Sequence, residues 1–465
     1  MSKTFRPWAV DDIWLLPPSL KEFVPAGHAA HLVRDLVCNE LDLSAILSVY
    51  TEVRGYPPYH PGMMVALLLY SYSQGTYSSR RIARACEERL DFQAVTALNQ
   101  PDFRTISEFR RRHLTALAGL FVQVLALCQR AGLVGLGHVA VDGTKLRANA
   151  SKHKAMSDAR MVQAEAELAD EVAQWLGRAE QQDAADGAAH GEHRGDEMPD
   201  WMQTKQSRLA RIRVARAELE AEAKAVHAAK QEGKPAPATK PDDTPRVPRG
   251  RKPSNPPGTP KPDAQRNFTD PDSRIMLGRD GFVQAYNGQA AVDARHQIIV
   301  SHRLTNCAAD QDGLPSLLDA AAANMGRMPA ELSADAGFCS EANLARLIER
   351  NVRGYVATGR ASRPASGNKG GTLVQAMRAR IRQGGHRSRY RLRKHVVEPV
   401  FGHIKQARGF RQLLLRGIDK VSSEWAMLCT AHNIAKLAAW AYTALPKTQT
   451  ATSFKIHAVV TGTGS

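Results

Sequence analysis

The chain of 465 residues is poor in long hydrophobic runs, has no paired cysteines and is short of acid relative to base. Its longest apolar run, Met63 to Tyr70, falls far below the ~20 residues of a membrane-spanning helix, so no membrane partner is expected. The opening residues Met1 to Arg6 lead into Trp8, Asp11 and Asp12 without a continuous apolar stretch. That argues against a signal peptide and makes the cytosol the expected location. The six cysteines, Cys38, Cys86, Cys128, Cys307, Cys339 and Cys429, form neither a Cys-x-x-Cys pair nor a His-Cys cluster. Neither a zinc site nor a disulfide framework follows, and reduced core thiols are the simplest reading. Against 63 Lys and Arg stand 46 Asp and Glu, a net charge of +17 that favours a polyanionic partner and fits nucleic acid better than a membrane surface. The length allows two or three domains and at least one sizeable core.

Residues 1–135 read as a helical N-terminal domain for DNA binding or assembly. Apolar residues recur at helical spacing over Ala29–Leu47, Pro61–Tyr72, Ser79–Leu90 and Thr105–Ala131, and Pro61 suits a first helical turn. Basic residues gather late in this region, at Arg80, Arg81 and Arg84 and again at Arg110, Arg111 and Arg112, on either side of the turn-like Asn99 to Asp102. Two readings stay open there: a helix-turn-helix that enters a DNA groove, and a bundle with a solvated basic face.

From His138 short β-type runs begin, break at Asn149, and resume at Ile275. Residues 136–150 and 267–445 therefore read as one α/β (mixed) domain, a mixed sheet flanked by helices. Within it the expected strands cover Ile275–Leu277, Phe282–Val292 after a hairpin at Asp280-Gly281, Gln297–Leu304 and Gly354–Ala357, with helices over Gln311–Met325 and Glu341–Glu349. The interruption divides in two. Residues 151–232 form a helical insertion, because Ser157–Gly177 and Lys205–Lys230 are rich in helix formers and predict an antiparallel pair. Residues 233–266 form a basic, Pro-rich linker that cannot bury a core, and 446–465 a flexible tail. In the linker, Arg249 and Arg251 flank a glycine in a pattern that suits a narrow minor groove, or a tether held near DNA by charge alone.

Three carboxylates stand out. Asp142 closes the apolar run from His138 at an Asp-Gly step, and Asp335 follows Leu332-Ser-Ala just before a helix start at Ser340-Glu341. Both are expected at strand ends, where a sheet fixes side-chain direction. Glu398 precedes Lys405 by seven residues, a spacing that returns to nearly the same helix face. Hard divalent cations such as Mg²⁺, with Mn²⁺ as substitute, take oxygen ligands, and two such ions serve in-line displacement at phosphorus. Taken singly, Asp142 and Asp335 read more simply as turn residues and Glu398 as a surface helix carboxylate paired with a base. Asp280, Asp293, Asp310 and Asp312 are rivals that read as turn or helix N-terminal residues. The basic run from Arg378 to Lys394, which includes Arg391, Arg393 and Lys394 and contains no acid, stands just before Glu398 and would hold phosphates beside it. Pro399 suggests that a helix starts or kinks at Glu398.

Asp142-Gly-Thr-Lys145, Ala334-Asp335-Ala-Gly337 and Glu398-Pro-Val-Phe-Gly-His-Ile-Lys405 followed by Arg408-Gly-Phe410 resemble bacterial insertion-sequence transposases of the DDE type. The resemblance runs from Tyr59-His-Pro61 and Phe109-Arg110 to Glu424-Trp425 and His432-Asn433. It implies a ribonuclease H-like catalytic core, Mg²⁺ dependence, recognition of terminal inverted repeats and strand transfer into target DNA. Asp142, Asp335 and Glu398 would be the catalytic metal ligands and Lys405 the best phosphate contact. In related transposases a Tyr and an Arg precede the Glu; those places here hold Arg391 and Lys394, while Tyr390 and Arg393 stand one residue early. Two active sites acting on two ends imply a homodimer. A nuclease without strand transfer and a non-catalytic DNA-binding protein are the competing functions.

Overall fold

The computed structural model describes residues 22, 24–51, 58–187, 200–232, 255–278, 281–359 and 371–444. The N-terminal helices are α1 (Ala29–Asn39), α2 (Ser44–Leu47), α3 (Pro61–Ser73), α4 (Ser79–Glu88), α5 (Leu90–Thr96), α6 (Phe103–Arg112) and α7 (Leu114–Arg130). Pro61 opens α3, where its missing N–H costs nothing, and the His60 ring accepts from the Gly62 N–H. Apolar on all sides, α3 is buried along nearly its whole length. The single helix expected over Thr105–Ala131 is instead two, bent by 74° at His113. There the His113 ring stacks on Tyr50 and shares a 3.1 Å hydrogen bond with its hydroxyl, so α6 and α7 turn their apolar sides to different neighbours. Burial has overridden local helix propensity.

The chain continues through β1 (His138–Arg147), β2 (Ala155–Ser157), α8 (Asp158–Gly187), α9 (Asp200–Glu232), β3 (Gln265–Asn267), β4 (Arg274–Gly278), β5 (Gly281–Asp293), β6 (Ile299–Thr305), α10 (Gly313–Met325), β7 (Glu331–Ala334), α11 (Glu341–Glu349), β8 (Arg353–Val356), α12 (Thr372–Gly384), α13 (Leu392–Gly402) and α14 (Ile418–Ala444). The main sheet runs β4-β5-β1-β7-β8, with β6 sharing the β4 edge of β5. Antiparallel pairing joins β1, β4 and β6 to β5, and parallel pairing joins β1 to β7 and β7 to β8. This is the mixed sheet flanked by helices that the sequence predicts. The Asp280 side of the β4–β5 turn lies outside the described residues.

Gly288 in β5 lets α14 lie close to the sheet: a Cβ there would stand 3.2 Å from the Trp425 ring. Trp425 is fully buried and donates from Nε1 to the Gln289 carbonyl. Asn433, also on α14, accepts from the Ile299 N–H and donates to the Ile299 carbonyl, both at 2.9 Å, beside the irregularity where β5 meets β6. One continuous apolar core joins the N-terminal helices to both faces of this sheet.

The insertion is a separate small assembly. Its helices α8 and α9 run antiparallel, with ion pairs from Lys205 to Glu171, Arg213 to Glu165 and Arg216 to Asp158 marking the opposite chain directions. Met161, Leu168, Leu209, Ile212, Ala215 and Leu219 form its own core.

Candidate active site

Asp142 does not end its strand, contrary to the expectation from the Asp-Gly step. β1 continues to Arg147 because β5 pairs with it along its whole length, while its pairing with β7 stops at Val141 opposite Ala334. Asp142 thus lies where β7 leaves the sheet. Asp335 immediately follows β7 as expected and accepts from the Gly337 N–H at 3.0 Å. Glu398 lies within α13, not at its start, and Pro399 sits inside the helix. Proline cannot donate to the carbonyl four residues back. That carbonyl, on His395, accepts instead from Gln297 Nε2 at 2.9 Å, so the helix passes through the proline with its acceptor satisfied. The chain then widens into a π-helical turn over His403–Ala407, which carries Lys405.

Arg393 draws these residues together. Its guanidinium donates to Asp142 Oδ2 at 2.5 Å and to Glu398 Oε1 at 3.2 Å. Asp142 and Arg393 are nearly closed off, at 13% and 14% side-chain exposure, whereas Glu398 keeps 46% and faces solvent. Burial pushes the Asp142 carboxyl up to about 6, against the pull of Arg393 and the Gly143 N–H, with Asp335 and Glu398 adding repulsion. Asp335 is raised by burial and by the Asp310 carboxylate, opposed by Arg393 and two backbone N–H groups. For Arg393, burial works against the charge and is outweighed by Asp142, with Tyr390, Glu398 and Asp335 adding to it. Among the described residues no group of three or more His, Cys, Asp or Glu stands close enough to hold a metal ion. A guanidinium occupies the space between two of the acids. The donor set is nonetheless all carboxylate oxygen, which suits a hard divalent cation.

The other basic residues are scattered in role. Lys405 is half-buried; its ammonium donates to the Lys145 carbonyl at 2.6 Å, and burial, with Lys145 nearby, pulls it down to about 8. Arg391 and Lys394 are exposed near the start of α13, and of this run it is Arg393 that reaches the acids. Arg110, expected on a DNA-facing surface, is buried and binds the Tyr72 hydroxyl, the Tyr77 carbonyl and the Ser79 hydroxyl. It holds α3, α4 and α6 together. Arg111 is exposed and paired with Glu108. Arg249 and Arg251 lie outside the described residues.

Two groups escaped the sequence reading. Asp310 is not merely a helix N-terminal residue, for it lies beside Asp335 and Lys145. Asn287 and Gln289 on β5 hold it with hydrogen bonds of 2.6 and 2.9 Å. The available signal was two amides spaced two apart in the mostly apolar stretch Ala285–Val292, which a buried face would accept only with polar partners.

A family model for a transposase domain matches residues 18–112, and a model for a transposase DDE domain matches residues 365–438, which include Glu398 and Lys405. No curated protein and no solved structure matches the chain. Asp142 and Asp335 fall outside both matched spans and are joined to the second by Arg393 and the sheet. With a transposase domain matched in its N-terminal helices and a transposase DDE domain matched on the helices packed on its mixed sheet, the chain is similar over those two spans to the DDE transposases of insertion sequences.

Proposed function

We propose that this protein is a transposase that cuts DNA at the ends of its element and joins the freed ends to target DNA, using Asp142, Asp335 and Glu398. The observation that carries the reading is the Arg393 bridge, which brings acids from β1 and α13 together beside Asp335. DDE transposases generally require divalent metal ions; here Mg²⁺, in two copies and with Mn²⁺ as substitute, would be held by the three carboxylates. Bound metal supplies Lewis acidity toward phosphate oxygens. The chain's own part is to fix two acids on a rigid sheet, to bring the third on a helix, and to neutralise phosphate with Arg393 and Lys405. Water attacks phosphorus at the element end and the 3′-hydroxyl leaves; that hydroxyl then attacks a target phosphate and displaces a second 3′-hydroxyl.

In this reading the helices of residues 1–135 and the basic linker with Arg249 and Arg251 grip terminal inverted repeats. Arg111, Arg391 and Lys394 supply exposed charge. Two copies of the chain act on two ends as a homodimer, on the nucleoid of a bacterial cytoplasm. No single helix among the described residues is long and apolar enough to cross a membrane.

The test is Asp142→Asn in purified protein given DNA with the element ends. Cleavage and joining should fall below detection while end binding persists, with log affinity still falling linearly with log salt. Strand transfer by the variant at the wild-type rate defeats the assignment. Cut but never joined products from the wild type would instead mark a nuclease, and binding without cutting a non-catalytic DNA-binding protein.

A further inference from the structure

Asp142 and Arg393 do not account for all the charge around Asp335. In β1, Gly143 and Lys145 face opposite to Asp142, and their β5 partners Gln289 and Asn287 share that face. Asp310, from the loop between β6 and α10, enters the same face. Its Oδ1 accepts from Asn287 Nδ2 at 2.6 Å and from Gln289 Nε2 at 2.9 Å, and Lys145 Nζ stands 3.8 Å away. The Asn287 amide nitrogen also faces the Cys307 carbonyl at 3.3 Å, so two acceptors fix which end of the amide is nitrogen. Its oxygen must therefore point the other way. That oxygen is fully buried and has no hydrogen-bond partner among the described residues. A buried carbonyl left in this condition is costly and is a site awaiting a donor or a cation.

Two glycines mark where the oxygens of this face gather. The place a Cβ on Gly143 would take is 2.6 Å from Asp310 Oδ1 and 3.0 Å from Asn287 Oδ1. The place a Cβ on Gly337 would take is 3.1 Å from both Asp310 Oδ2 and Asp335 Oδ1. Glycine at both positions lets the oxygens of Asp310, Asn287 and Asp335 close in on the backbone. A side chain at either would push them apart.

We infer that Asp310 is a fourth carboxylate of the site, which holds a divalent cation jointly with Asp335 and the Asn287 carbonyl on the sheet face opposite Arg393. The inference rests on the proposed role of Asp335. It gives that residue a distinct place, shared between the Arg393 side and the Asp310 side.

The full chain without DNA is titrated with Mn²⁺ alone, with binding read by electron paramagnetic resonance. Asp310→Asn keeps an oxygen acceptor for the Asn287 and Gln289 amides, so its metal-free melting should match the wild type. The expected result is Mn²⁺ affinity weakened at least about tenfold by Asp310→Asn, comparable with Asp335→Asn, and restored in part by Asp310→Glu. Independently of any variant, Fe²⁺ with peroxide and ascorbate should cut the wild-type backbone beside residue 310 as well as beside residue 335. Wild-type Mn²⁺ binding by Asp310→Asn, with weakened binding by Asp142→Asn and Asp335→Asn, overturns the inference and leaves the triad standing. If none of these variants changes Mn²⁺ binding, or the wild type shows no saturable Mn²⁺ site, the inference and the triad fall together.

Discussion

Arg393 is the residue on which the site turns, because it supplies in protein form the positive charge that three acids need. Its hydrogen bonds to Asp142 and Glu398 lie in a mostly closed space, where a carboxylate left alone is costly. Arg393→Gln should therefore lower stability by about 2 kcal/mol, below the cost of a fully buried pair because Glu398 keeps access to water. The same variant should gain more from Mn²⁺ than the wild type does, since the cation no longer competes with a guanidinium. Thermal melts with and without Mn²⁺ check both halves. An unchanged metal-free melt, or a Mn²⁺ gain no larger than that of the wild type, would contradict the bridge. Residue chemistry also explains why Arg110 was misread: a guanidinium in a basic run looks solvated until three buried acceptors are found around it.

At the scale of elements, α13 depends on a partner far away in sequence. Gln297 stands at φ 60° in the turn before β6 and reaches the carbonyl that Pro399 cannot serve. Gln297→Ala should cost about 0.5–1 kcal/mol, because the bond is exposed and water can take up part of that acceptor's need. Pro399→Ala in the same background should recover part of it, because the new N–H can close the helical bond; alone, Pro399→Ala should change little. A double-mutant cycle in urea tests this, and additive effects would show that the two residues are not coupled. The elements most legible in the sequence were those with local punctuation. The strand and helix around Asp335 are marked by a short apolar run and by Ser340, whose side chain caps α11 with a 3.1 Å bond to the Asn343 N–H. What stayed hidden depended on distant pairing: β5 carries β1 past Asp142-Gly143, Tyr50 meets His113 at the bend, and Gln297 sustains α13 through a proline. For the candidate site, the three acids were legible as types at their places. Arg393 as their bridge and Asp310 as their neighbour were not, because both relations cross the sheet.

Taken as a whole, the molecule divides differently from its sequence. The N-terminal helices share one core with the sheet, with α7 packed against α14, so residues 1–135 are not expected to fold alone. The insertion, by contrast, carries its own core and leaves the sheet through the short pair of β2 with β3, where Ser157 stands opposite Gln265. Its ends are therefore neighbours, and residues 158–264 can be replaced by Asn-Gly, which closes a two-residue hairpin. Arg266 and Arg274 lose their Glu218 and Glu222 partners in this deletion, but the helix that covered them goes too, and both become solvated. The shortened protein should melt cooperatively, within about 5 °C of the full chain, as expected when only about 1 kcal/mol is lost. It should bind Mn²⁺ as the full chain does, because no residue of the site comes from the insertion. Its affinity for DNA ends should drop and show a shallower salt dependence, since the basic linker goes with it. Loss of cooperative melting would mean that the insertion supports the sheet after all, and unchanged DNA affinity would remove the linker from the grip on DNA.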